Sequence, residues 1–159
     1  MRQHQDPPAG DVRAVGERAR TREVPYAVLG AIAAGGATGA VARYSVTTAL
    51  PHGPGDFPLS TFLIDVSGCL LIGALVVLLT EVMGRPHQLA RPFFGVGLLG
   101  GYTTFSAYTA EALALLDDGS TSTAFTYLFG TLLAALLAVQ IGAVATRASV
   151  AHVRKEPRS

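Results

Sequence analysis

The stretch "GGYTTFSAYTAE", residues 100–111, lies inside an apolar run that extends from about 93 to 116. A lipid-spanning helix ordinarily places Leu and Val at such positions. This one carries paired glycines, four hydroxyl-bearing residues within five positions, two aromatic rings three apart and the carboxylate of Glu111. Adjacent glycines break helices readily, and carbonyls freed at membrane depth are tolerated only where they are buried in protein or line a cavity. Freed carbonyls in mid-membrane also make a cation site. The stretch therefore predicts a helix broken at Gly100-Gly101. Its hydroxyls would satisfy the break and its rings would line a path.

Outward from this run the same pattern recurs. Runs at about 26–50, 57–80, 93–116 and 123–146 hold almost no ionised residues, in a chain of 159 residues that is 50% hydrophobic and 14% charged. Each is about 24 residues long, enough for the ~20 that cross a hydrocarbon core about 30 Å thick. Buried helices of a soluble bundle are shorter and carry a polar stripe. The expected fold is an all-α membrane protein with four transmembrane helices, occupying residues 25–146. Residues 1–24 read as a polar, basic, disordered tail with no signal-peptide core, and residues 147–159 as a short basic tail. Links at 51–56, 81–92 and 117–122 carry turn residues and leave no room for an extramembrane domain.

The charges indicate an orientation. Of 12 Lys and Arg, five precede the first run, two lie in the middle link and four follow the last run. The first and third links have none, and only Arg43 lies within a run. Eleven against none is a strong positive-inside bias, so both termini are expected in the cytoplasm of a multi-pass cell-membrane protein. Cys69, the single cysteine, excludes an intrachain disulfide and reads as a packing residue. His4, His52, His87 and His152 fall in four separate loops or tails, without zinc-ligand spacing. No nucleophile, base or metal cluster can be assembled, so the chain is not expected to be an enzyme.

Three ionisable groups stay within the runs: Arg43, Asp65 and Glu111. A charge at bilayer depth costs at least a few kcal/mol, so it must face protein or water and find a partner. Arg43 and Asp65 lie in runs joined by a short turn, and either a buried ion pair or a place on a permeation route would account for them. Glu111 is close enough to its run's end to reach the interface. The glycines of "GAIAAGGATGA", including Gly35-x-x-x-Gly39, suit close helix packing. Beyond the predicted break, Phe105 and Tyr108 share a face with Glu111, and Thr104 lies four residues before Tyr108. Ring edges are electropositive and hydroxyls donate, so this lining suits a small anion stripped of its water.

The segments "GGATGAVARY" (35–44), "STFLIDVSGCLLIG" (60–73) and "GLLGGYTTFSAYTAE" (97–111) resemble the three signatures of the CrcB/Fluc fluoride channels. The resemblance covers about residues 26–146. It implies an antiparallel, dual-topology dimer with two fluoride pores and a central structural Na+, exporting fluoride passively from the cytoplasm. On that resemblance the carbonyls of Gly100 and Thr103 hold the Na+, and Phe105 is the first pore-lining ring. Glu111 matches a vestibule glutamate, Arg43 the arginine of the first signature, and Tyr127 and Thr131 a polar track on the fourth helix. Ala135 stands where a further hydroxyl is typical.

Two departures from the family pattern matter. Tyr108 replaces the second pore phenylalanine, adding a hydroxyl. Asp65 replaces an asparagine, and a carboxylate only accepts hydrogen bonds where an amide donates them. Unless Asp65 is protonated or neutralised by Arg43, a pore it lines conducts poorly. The one-sided charge points the same way, because an antiparallel homodimer needs one sequence to insert both ways. A heterodimer with an oppositely oriented homologue is the favoured expectation, with a self-sufficient homodimer and a non-conducting regulatory subunit as alternatives. A four-span multidrug exporter would need a carboxylate deep in its first span, where only Arg43 is present.

Overall fold

The structure, a computed structural model, describes residues 25–83 and 87–155. The tail assigned to 1–24, residues 84–86 with Arg85, and residues 156–159 lie outside the described residues. Among those described there is no strand, and helices fill the four apolar runs. They are α1 (Tyr26–Ala49), α2 (Leu59–Val77), α3 (Leu99–Tyr102), α4 (Phe105–Asp117) and α5 (Thr121–Lys155). Two segments wind more widely as π-helix: Leu78–Val82 extends α2, and Arg91–Leu98 leads into α3. Arg91–Leu98, α3 and α4 together make the third pass.

The boundaries follow from local chemistry. Pro25 and Pro58 stand immediately before α1 and α2, where a missing N–H costs nothing. After α1 comes Pro51, which cannot continue a helix. Helix α4 ends where Gly119 takes φ +76°, with Ser120 N–H donating to the Leu115 carbonyl at 2.9 Å and Gly119 N–H to Leu116 at 3.0 Å. That pair of bonds satisfies carbonyls the helix end would orphan. The first and third links meet at one end of the molecule, where Gly55 N–H donates to Asp118 Oδ2 at 3.1 Å. At the opposite end Arg147 of α5 grips Glu81, with Nη2 to Oε1 at 2.6 Å. The Ser and Thr hydroxyls within α1 are satisfied internally: Thr38 donates to the Ala34 carbonyl and Ser45 to Val41, both at 2.9 Å.

Packing is pairwise. Helix α1 lies mainly on the third pass, and α2 mainly on α5. Glycine makes both contacts possible by bringing backbone against backbone. A Cβ at Gly39 would strike the Leu98 carbonyl and sit 2.8 Å from Tyr102 N, and one at Gly73 would strike the Val139 carbonyl. Where lipid supplies no hydrophobic drive between helices, such close approach is what holds them together. Gly39→Ala is expected to destabilise the fold by about 1–3 kcal/mol through overpacking, read as a lower melting temperature in detergent. Gly30→Ala, where a Cβ meets nothing within 4 Å, should leave it unchanged.

The glycine packing corrects one expectation. Gly100 and Gly101 do not break the third pass; both lie inside α3. A Cβ at Gly101 would strike the Gly36 carbonyl of α1, so this glycine serves close approach. The helix is interrupted three residues further on, at Thr103 (φ −87°, ψ 156°) and Thr104 (φ −157°, ψ 118°), both extended.

Leu59–Val82 and Thr121–His152 are long and apolar enough to cross a bilayer. Only 22% and 17% of their most apolar windows are buried within the chain, whereas the core helix of a soluble protein is mostly buried. Leu137 and Ile141 of α5 are 64% and 58% exposed. Apolar helices this exposed need lipid or another subunit around them, as the helices of a membrane protein do.

Candidate functional site beside the interrupted third pass

The interruption creates the site. Thr103 closes α3 by donating its N–H and its Oγ1 to the Leu99 carbonyl, each at 3.0 Å. Thr104 opens α4, its Oγ1 accepting from Ala107 N–H at 3.4 Å. Between them the carbonyls of Gly100 and Thr103 accept none of the backbone hydrogen bonds found across the turn among the described residues. Tyr102 pins the turn to α2 through a 2.9 Å hydrogen bond between its hydroxyl and Ser67 Oγ, and Thr103 packs its methyl against Gly68.

Beside the interruption lies a cleft of about 250 Å³. Asp65 comes to it from α2 and Thr131 from α5, facing Thr103, Thr104, Phe105 and Tyr108 of the third pass. Six of the ten residues singled out in the sequence therefore share one cleft. The Thr104 backbone amide approaches the half-buried Asp65 carboxyl. Thr131 is 3% exposed and its hydroxyl has no hydrogen-bond partner among the described residues, an arrangement that leaves a donor free at the cleft wall. Phe105 is 78% exposed, so its ring stands at the open side.

Two residues are set differently from the expected lining. Tyr108 donates its hydroxyl to the Leu128 carbonyl at 2.8 Å, which occupies that donor and leaves the ring to the cleft. Tyr127 is wholly buried behind it, ring centroids 5.3 Å apart, with Phe57 edge-on at 5.6 Å. The Tyr127 hydroxyl lies near Thr61 but outside hydrogen-bond geometry. It belongs to the core behind the cleft.

Arg43 and Glu111 lie apart from the cleft. The ion pair of Arg43 with Asp65, one of the two arrangements the sequence allows, does not form: among the described residues the oppositely charged contacts are Glu81–Arg147 and His52–Glu111. The reason is the packing order, since α1 sits on the third pass while α2 sits on α5. Arg43 Nε is buried without a hydrogen-bond partner among the described residues. Glu111 instead meets His52 of the first link, Nε2 to Oε1 at 3.3 Å. They border a hollow of about 320 Å³ at the link end, into which Asp56 and Asp118 also face.

Three participants were not singled out by sequence reading: Cys69, which lines the cleft, Tyr102, which anchors the turn, and His52. His52 had a usable signal, because it and Glu111 fall at the same end of neighbouring runs.

Residues 30–143 match the family described as "CrcB-like protein, Camphor Resistance (CrcB)". Among curated proteins the chain is similar to fluoride-specific ion channel FluC 2 of Nocardia farcinica, 47% identical over 137 residues, covering 86% of this chain and 97% of that one. It is also similar to FluC 1 of Streptomyces coelicolor, 44% identical over 139 residues and 87% and 89% of the two chains. FluC 2 of Thermobifida fusca is 45% identical over 121 residues, 76% and 89% of the two. An all-helical chain with exposed apolar helices, an interrupted pass and a polar cleft is of the class of membrane transport proteins. The chain belongs to the CrcB family, which consists of ion channels and not of enzymes.

Proposed function

We propose that this chain is a subunit of a fluoride channel that lets fluoride leave the cytoplasm passively, with four membrane crossings and both termini on the cytoplasmic side. The observation that carries the reading is the cleft at Thr103–Thr104, on which an exposed ring, a free buried hydroxyl and a chain interruption converge. A dehydrated halide needs donors and electropositive ring edges, and Thr131 Oγ1 with Phe105 and Tyr108 offers both. Phe105 projects from the single chain, so a second subunit is needed to enclose the path. Antiparallel pairing would set two interruptions against each other. The names of the relatives, all fluoride-specific ion channels, support fluoride as the ion. The test is selective fluoride efflux from vesicles containing the purified protein.

Asp65 supports a second reading, a non-conducting regulatory subunit, because a carboxylate on an anion path repels its cargo. With Arg43 elsewhere, only protonation or a partner's charge would neutralise it. A channel in which this subunit's own path is impaired and the homologue's conducts reconciles the two readings.

The Gly100 and Thr103 carbonyls, without backbone donors across the turn, fit a structural Na+, since unwound backbone carbonyls at membrane depth coordinate that ion. Gly100 and Thr103 would hold it, and its charge would fasten two interrupted passes together. Replacing Na+ by N-methylglucamine is expected to lower the melting temperature by at least about 4 °C and to reduce the dimer fraction on size-exclusion chromatography. Equal values in both cations would remove the ion from the proposal.

A further inference from the structure

We propose that the groove between the far end of α2 and the Arg91–Leu98 segment binds an acyl chain of an anionic phospholipid, whose phosphate rests on Arg91. The groove holds about 230 Å³ and is walled by Ile72, Leu75 and Leu79 on one side and Gly95 and Val96 on the other, with Arg91 at its edge. A second, wholly apolar hollow of about 180 Å³ lies across Leu75, against Phe94 and Leu98. The two walls touch sparsely. Both are built partly of π-helix, Leu78–Val82 facing Arg91–Leu98, a winding frequent at functional sites.

Apolar shape alone does not choose an occupant in a bilayer, because lipid tails and leucine are equally apolar. The charge at the edge does. Arg91 is exposed and takes part in neither oppositely charged contact among the described residues, whereas Arg147 at the same end is held by Glu81. A basic side chain at the mouth of a groove between membrane helices is the arrangement that recognises an anionic headgroup. Gly95 keeps the groove open: a Cβ there would meet only Leu75 Cδ2, at 3.9 Å, so a larger side chain would fill lipid space without displacing a neighbouring helix. The inference does not depend on which ion the chain conducts.

The test is native mass spectrometry of the full chain in neutral detergent, titrated with phosphatidylglycerol, with phosphatidylcholine and with inorganic phosphate. Phosphatidylglycerol is expected to bind about five-fold more tightly than phosphatidylcholine, the factor one basic residue near the surface supplies, and phosphate alone should not bind. Arg91→Gln should erase the preference, and Gly95→Leu should weaken both lipids while the charge remains. Equal binding of the two lipids, or a preference that survives Arg91→Gln, overturns the proposal. So does saturation by phosphate alone, which would mean a headgroup site without a chain. If Gly95→Leu instead dissociates a dimer and leaves lipid binding intact, the groove belongs to a second copy and the lipid assignment is wrong.

Discussion

Asp65→Asn is expected to raise fluoride flux at least about five-fold, because two like charges about 4 Å apart cost from ~1 kcal/mol in water-like surroundings to ~4 at an effective dielectric of 20. The substitution keeps the side chain's size, removes the charge and adds an N–H donor facing the cleft. Asp65 shares that cleft with Phe105, Tyr108 and Thr131, and Arg43 does not neutralise it. Flux is measured with a fluoride electrode on vesicles holding equal amounts of each protein. Unchanged flux would mean that the anion does not pass Asp65.

The second large effect concerns pairing. Vesicles containing this chain with an oppositely oriented homologue should release fluoride about ten-fold faster or more than vesicles containing this chain alone, because a strong Lys/Arg bias leaves few chains inserted the other way. The bias is eleven basic residues against none, counted over the tails and links. Phe105, 78% exposed on a single chain, leaves the proposed path open on the side a partner would close. Antiparallel dimers of this chain by itself, carrying the same flux, would remove the need for a homologue.

The helical nature of all four runs was legible because charge-free stretches of that length admit little else in a bilayer. So was the grouping of Asp65 with Thr104, Phe105, Tyr108 and Thr131, although it rested on a resemblance more than on spacing. The position of the interruption was not legible. A glycine that breaks a helix and a glycine that lets two backbones touch look alike in sequence, and only the neighbour distinguishes them. Gly101 has the Gly36 carbonyl against it, so the break moved to Thr103–Thr104, whose hydroxyls finish one helix and begin the next. The choice between an Arg43–Asp65 ion pair and separate places for the two was not legible for a related reason. Consecutive runs joined by a short turn need not be the closest-packed neighbours, and glycine surfaces set α1 on the third pass and α2 on α5. The contact between His52 and Glu111 depends on a link's path, which turn residues alone do not specify.

The proposed function requires an anion to move past the turn at Thr103–Thr104. Vesicles loaded with equal fluoride and chloride, and carrying the chain with a homologous subunit, test it most directly. The account predicts that fluoride drains while chloride stays. Retention of both ions with every partner tried, or equal loss of the two, would contradict it.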